Sequence, residues 1–222
     1  MKAILLVEGE GDRLFFEALL RRLDMNARVV VKPPRSLGKS TDTVSHFPDL
    51  IDTLVGKRMA TGELEQLGIV ADADHTSGGG VETRWKTITN NLKEYGYRIP
   101  NNMPKSSYLG TVFNNAQDLP PVGLWLMPDH QRNGMLEDLI KAAVDQKAET
   151  TLLEYAEKVV RALPERRFSD LHQTKALIYT WLAWQKRPGQ TLDVVINGNL
   201  IDWNAKPMKG LVTWLTKVFP KD

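Results

Sequence analysis

The sequence predicts an α/β fold: a parallel sheet with its crossover helices over residues 1–130, then a mostly helical C-terminal extension over residues 131–222. Three observations predict it. Short, continuous apolar runs recur at Ala3–Val7, Leu67–Ala71 and Val122–Met127, the pattern of strands buried on both faces. Segments of helical period lie between them, and strand–helix alternation of this kind builds parallel sheets. Of the 222 residues, 42% are hydrophobic and 25% charged, which supplies a real core and excludes a disordered chain.

In chain order, Ala3–Val7 is the first strand, and Gly9 and Gly11 break it. Leu14, Phe15, Ala18, Leu19 and Leu23 then recur at helical spacing, with Asp12 as the expected N-cap. A second strand reads at Ala27–Val31 and stops at Pro33-Pro34, and Arg35–Thr43 is a polar loop. Val44–Val55 reads as a helix with Pro48 near its start. Leu67–Ala71 is a buried strand ending in Asp72-Ala73-Asp74. A glycine-rich loop leads from there into a helix at Glu82–Tyr95. Leu109–Phe113 and Val122–Met127 are two further strands. Helices follow at Met135–Val144, Thr151–Leu163, Lys175–Gln185 and Leu211–Phe219.

Composition bounds the chemistry. The absence of cysteine removes disulfides, zinc–thiolate centres, iron–sulfur clusters and cysteine nucleophiles together. No apolar run approaches the ~20 residues of a membrane span, and the opening residues meet charge too early for a signal peptide. A cytoplasmic protein is expected, with no membrane partner. Twenty-nine basic against 27 acidic side chains give a net charge of +2, which neither demands nor excludes nucleic acid.

The position of the acids is more informative. Glu8 falls just past the first strand, Asp12 opens the next helix, and Asp72 and Asp74 close a later strand. Ligands of an open parallel sheet bind beyond the carboxyl ends of its strands. If the two strands are neighbours, four carboxylates converge. Such a cluster repels itself unless a cation neutralises it, and an all-oxygen set suits Mg²⁺ or Mn²⁺ together with phosphate oxygens. By position alone, Asp129 at a strand end, and Glu137 and Asp138 in a helix's first turn, are further candidates. Asp12, Glu137 and Asp138 equally suit helix N-termini, where an acid contributes ~0.3–1 kcal/mol.

Val7-Glu8-Gly9-Glu10-Gly11-Asp12, followed by a strand ending Asp72-Ala73-Asp74, resembles the topoisomerase–primase (TOPRIM) domain. The Glu-x-x-x-Asp form is closest to the overcoming-lysogenization-defect nucleases and small stand-alone relatives. The segments Leu126-Met127-Pro128-Asp129 and Leu136-Glu137-Asp138 also resemble uncharacterised stand-alone members. The resemblance implies a Rossmann-like sandwich and a Mg²⁺-dependent phosphodiester-processing protein, most readily a nuclease. It implies Asp72 and Asp74 as metal ligands, Glu8 as ligand or general acid/base, and Asp12 completing a second metal position. Nucleic acid and a larger protein partner are the expected associates.

Two other readings stand beside it. Asp72-Ala73-Asp74-His75-Thr76 after an apolar strand also resembles the first motif of haloacid-dehalogenase-type phosphatases, with Asp72 as nucleophile and Asp74 as acid/base. A non-catalytic TOPRIM-like binding protein is the third. Ser36-Leu37-Gly38-Lys39-Ser40 lacks the earlier glycine of a phosphate-binding loop, since Pro33 stands there. Arg35 and Lys39 are therefore expected at most to touch a nucleic-acid backbone, beside the basic groups at Arg161, Arg166, Arg167, Lys186, Arg187, Lys206 and Lys209. One of His75 and His130 is a candidate proton shuttle.

Overall fold

A computed structural model describes residues 2–31, 47–74, 79–104 and 109–220. Arg35, Lys39 and the rest of the loop around them lie outside these residues, as does His75. Among the described residues, five strands form one sheet: β1 (Ala3–Val7), β2 (Arg28–Val31), β3 (Gln66–Asp72), β4 (Thr111–Phe113) and β5 (Val122–Met127), in the order β2-β1-β3-β5-β4. The pairs β1–β2, β1–β3 and β3–β5 are parallel, in registers such as Leu5↔Val29, Leu5↔Gly68 and Ile69↔Leu124.

The expected parallel sheet acquires one antiparallel edge, because β4 runs against β5 with Val112 opposite Gly123. The cause is the connection. Residues 114–121 are too few for a parallel crossover, which takes a dozen residues or more.

Strand alternation sends odd and even positions to opposite faces. Leu5, Val7, Val70, Trp125 and Met127 meet α1 (Glu10–Arg22) through Phe15, Phe16 and Leu19. Ile4, Leu6, Ile69, Leu124 and Leu126 pack against α2 (Phe47–Ile51) and α3 (Gly80–Glu94) on the other face, through Ile51, Trp85, Ile88 and Leu92. After α2 the chain continues in π-helical turns over Asp52–Met59, past the end expected at Val55. Within them Gly56 makes room for Tyr95: a Cβ there would lie 2.8 Å from Tyr95 Cε1.

The C-terminal helices are α4 (Leu136–Ala143), α5 (Thr150–Arg161), α6 (Gln173–Ala183), α7 (Val194–Asn197) and α8 (Lys206–Val218). They share the core of the α1 face, contributing Leu139, Ile140, Ala156, Ile178, Trp181, Val195 and Trp214. Trp181 and Ile178 are buried core residues, whereas Trp184, three residues on, is exposed and rests against Tyr155, with ring centroids 5.6 Å apart. Among the described residues, no helix is long and apolar enough to cross a membrane.

Candidate carboxylate site at the switch point

The order of the strands reverses between β1 and β3: the chain leaves β1 toward β2 on one side and returns as β3 on the other. The crevice beyond the carboxyl ends of two such strands is where doubly wound sheets hold ligands. Glu8 leaves β1 there, and Asp72 ends β3.

Gly9 turns the chain from β1 into α1, and its N–H donates to Asp12 Oδ2 at 2.9 Å. Asp12 is thus the third residue of the helix reaching back to its start, and Gly9 is the N-cap in its place. The reach-back holds the Asp12 carboxyl where its charge acts on Asp72 at the end of β3. The same device recurs at α4, where Met135 N–H donates to Asp138 Oδ2 at 2.9 Å. It leaves Glu137, the preceding residue, buried at 4% exposure, with its Oε1 3.5 Å from Lys175 Nζ on α6.

Past β3 the chain turns. Asp74 takes a left-handed backbone (φ 52°) and exchanges two hydrogen bonds with Gly134, Asp74 N–H to Gly134 O and Gly134 N–H to Asp74 O, both 3.1 Å. Gly79 and Gly80, both with positive φ, start α3, whose Val81 N–H is capped by Asn133 Oδ1 at 2.9 Å. A Cβ at residue 80 would meet that oxygen at 2.7 Å. Arg84, one turn on, is 3% exposed and points back into the crevice. Its Nε donates to the Asp72 carbonyl at 2.9 Å and its Nη2 to Asp74 Oδ2 at 2.6 Å, and Nη2 lies 3.7 Å from Glu8 Oε1.

Electrostatics shows how closely these groups crowd. Burial pushes the Asp72 carboxyl well above the usual carboxylate range, and the charges of Asp12, Glu8, Glu137 and Asp74 push it further. Burial and the Glu137 charge raise Asp12 to about 6, against the opposing pull of the Gly9 N–H and Lys175. Burial works against the Lys175 ammonium, yet Glu137, Tyr179 and Asp72 raise its pKa. The Tyr179 phenol is raised by burial and by Glu137, and Lys175 opposes that. Five carboxylates from four parts of the chain therefore meet two cations, Arg84 and Lys175. Among the described residues, no three of these acids stand close enough to form a ready ligand set. The donors themselves, carboxylates of which Glu137 is buried and the others half-buried, in excess over the local cations, fit a hard divalent ion such as Mg²⁺.

Of the acids expected from the sequence, Glu8, Asp12, Asp72, Asp74 and Glu137 meet here. Asp138 is occupied at the start of α4. Asp129, 3% exposed, holds its own loop: Oδ2 accepts from Arg132 Nε at 2.6 Å, and Oδ1 from Gln131 and Arg132 N–H at 3.2 and 2.9 Å. His130 is buried, with Leu126 N–H donating to its Nδ1 at 2.9 Å and Thr111 Oγ1 3.0 Å from Nε2. Burial drops it to about 3, so it stays neutral near pH 7 and is no proton shuttle there. Arg161, Arg166 and Arg167 pair with Glu157, Asp170 and Glu165 on their own surface.

Arg84, Lys175 and Tyr179 were not foreseen. Lys175 and Tyr179 at i and i+4 share one face of a helix, which is the one signal the sequence offered. No curated protein and no solved structure significantly matches the chain. The family model DUF3226, described as a protein of unknown function, matches residues 2–220, so the chain belongs to the DUF3226 family.

Proposed function

We propose that this protein is a Mg²⁺-dependent phosphodiester-processing enzyme, acting as a nuclease. The observation that carries the reading is Asp72. It sits at the switch point of the sheet, where burial first and then the charges of Asp12, Glu8, Glu137 and Asp74 raise its pKa, a cost that a divalent cation relieves. The resemblance of Glu8, Asp12, Asp72 and Asp74 to the TOPRIM signature supports the same assignment. Asp72, Asp12 and Glu8 would hold the ion, drawing together around it, and Glu137 borders them. When bound, Mg²⁺ supplies positive charge for phosphate oxygens and lowers the pKa of a coordinated water.

The chain's own groups divide the rest of the work. Glu8, at the mouth of the crevice and only partly buried, takes the proton of the attacking water on its carboxylate. Lys175 and Tyr179, on the α6 face over the cluster, offer an ammonium and a phenol to a phosphate that arrives there. Arg84, buried against Asp74 and near Glu8, keeps those two acids oriented.

Purified protein with Mg²⁺ or Mn²⁺ is expected to cut DNA or RNA, and Asp72→Asn to lower the rate at least a hundredfold. Cutting that survives Asp72→Asn sinks the reading. Hydrolysis of a small phosphomonoester that is indifferent to Glu8→Gln would instead favour the haloacid-dehalogenase-type alternative. Glu8 argues against that outcome, because it shares Arg84 with Asp74.

A further inference from the structure

We infer that Asp74 is not one of the metal's ligands: together with the buried Arg84 it forms a positioning pair that holds Glu8 in place, leaving the ion to Asp72, Asp12 and Glu8. This deepens the reading above and rests on it.

The backbone is the first ground. Two acids separated by one residue share a face only while the strand stays extended. β3 ends at Asp72, and Asp74 has φ 52° with both backbone groups bonded to Gly134, so strand alternation no longer sets its direction. Its carboxylate turns to the 2.6 Å charge-assisted bond with Arg84, with its side chain 38% exposed, while Asp72 points into the crowd.

Arg84 is the second ground. A guanidinium this deeply buried is stable only when paired. Its planar fork donates to two acceptors at the end of β3, the Asp72 carbonyl and the Asp74 carboxylate, while Nη2 stands at ion-pair distance, 3.7 Å, from Glu8 Oε1 at the end of β1. A lysine carries the charge but not the fork. Residues that orient a metal's ligands typically change affinity 10–100-fold when removed, short of abolishing it.

The test is Mn²⁺ titration by calorimetry on the full chain, with thermal unfolding to confirm that each variant folds. Asp72→Asn is expected to abolish the binding heat. Asp74→Asn and Arg84→Lys should each weaken Mn²⁺ by about tenfold, and the double variant should bind no worse than the weaker single one, because the two act as a unit. Loss of binding in Asp74→Asn equal to that in Asp72→Asn overturns the inference, as does full additivity in the double variant. If Arg84→Lys does not fold, the comparison of Asp74→Asn with Asp72→Asn still decides. Wild-type protein that takes up no Mn²⁺ overturns the metal reading itself, a different result from binding that Asp74→Asn destroys.

Discussion

Asp12 and His130 set opposite dependences on pH, and each can be isolated. An ordinary aspartate titrates at 3.8, and Asp12 in the fold does so at about 6. Its ionised form is therefore a cost to the metal-free protein above about pH 6. That cost is withdrawn as pH falls from about 6 toward 3.8. The melting temperature of wild type relative to Asp12→Asn should rise over that window, and a difference that stays flat would contradict the crowding described here. His130 behaves the other way. Its folded pKa of about 3 lies below the ordinary 6.5, so stability present above 6.5 is lost as pH falls toward 3. Its ring resonances in NMR should hold constant between pH 8 and 5. His130→Ala strands the Leu126 N–H in the core and should cost ~2–4 kcal/mol in denaturant unfolding.

At this scale the strand-end acids were legible, because a carboxylate directly after a buried strand is costly without a purpose. Asp129 satisfied the same rule and turned out to brace a loop. Arg84 was not legible. Nothing in Glu82-Thr83-Arg84-Trp85 says which helix face looks back at β3 until the Gly79–Gly80 turn fixes where α3 begins.

Among the elements, α8 depends on a floor of missing side chains. Leu5, Gly68, Gly123 and Val112 lie on one rung across the sheet. A Cβ at Gly123 would fall 2.3 Å from Val218 Cγ2, and one at Gly68 2.8 Å from Leu5 Cδ1 and 3.2 Å from Phe219 Cζ. The two glycines let Trp214, Val218 and Phe219 settle onto the strands. Gly123→Ala should therefore destabilise by ~1–3 kcal/mol through overpacking, read as a lower urea midpoint with an unchanged slope. From the sequence, glycines inside strands mark a close approach, though not by which helix. The strands and longer helices were legible from apolar period. The short α7 was not, because four residues hold too little period to register.

In the whole molecule, the sheet and the C-terminal helices share one core. Leu5, Val7, Val70 and Trp125 are covered by residues as distant in sequence as Leu211, Trp214 and Leu215. The composition break near residue 130 therefore coincides with no break in packing on this face. A fragment ending at residue 130 should expose that face and fail to give cooperative unfolding by circular dichroism. A soluble fragment with a sharp transition would show that the first 130 residues fold alone. The near-neutral total charge likewise conceals its arrangement: five acids gather at the switch point, while several exposed arginines pair with acids on the surface.

Crystals soaked in Mn²⁺ would show whether these acids gather for a divalent cation, as proposed. An anomalous difference peak is expected between Asp72, Asp12 and Glu8, with those carboxylates drawn in around it and Asp74 still on Arg84. A saturated soak that leaves the crevice without a peak, and the acids where they now stand, would contradict it.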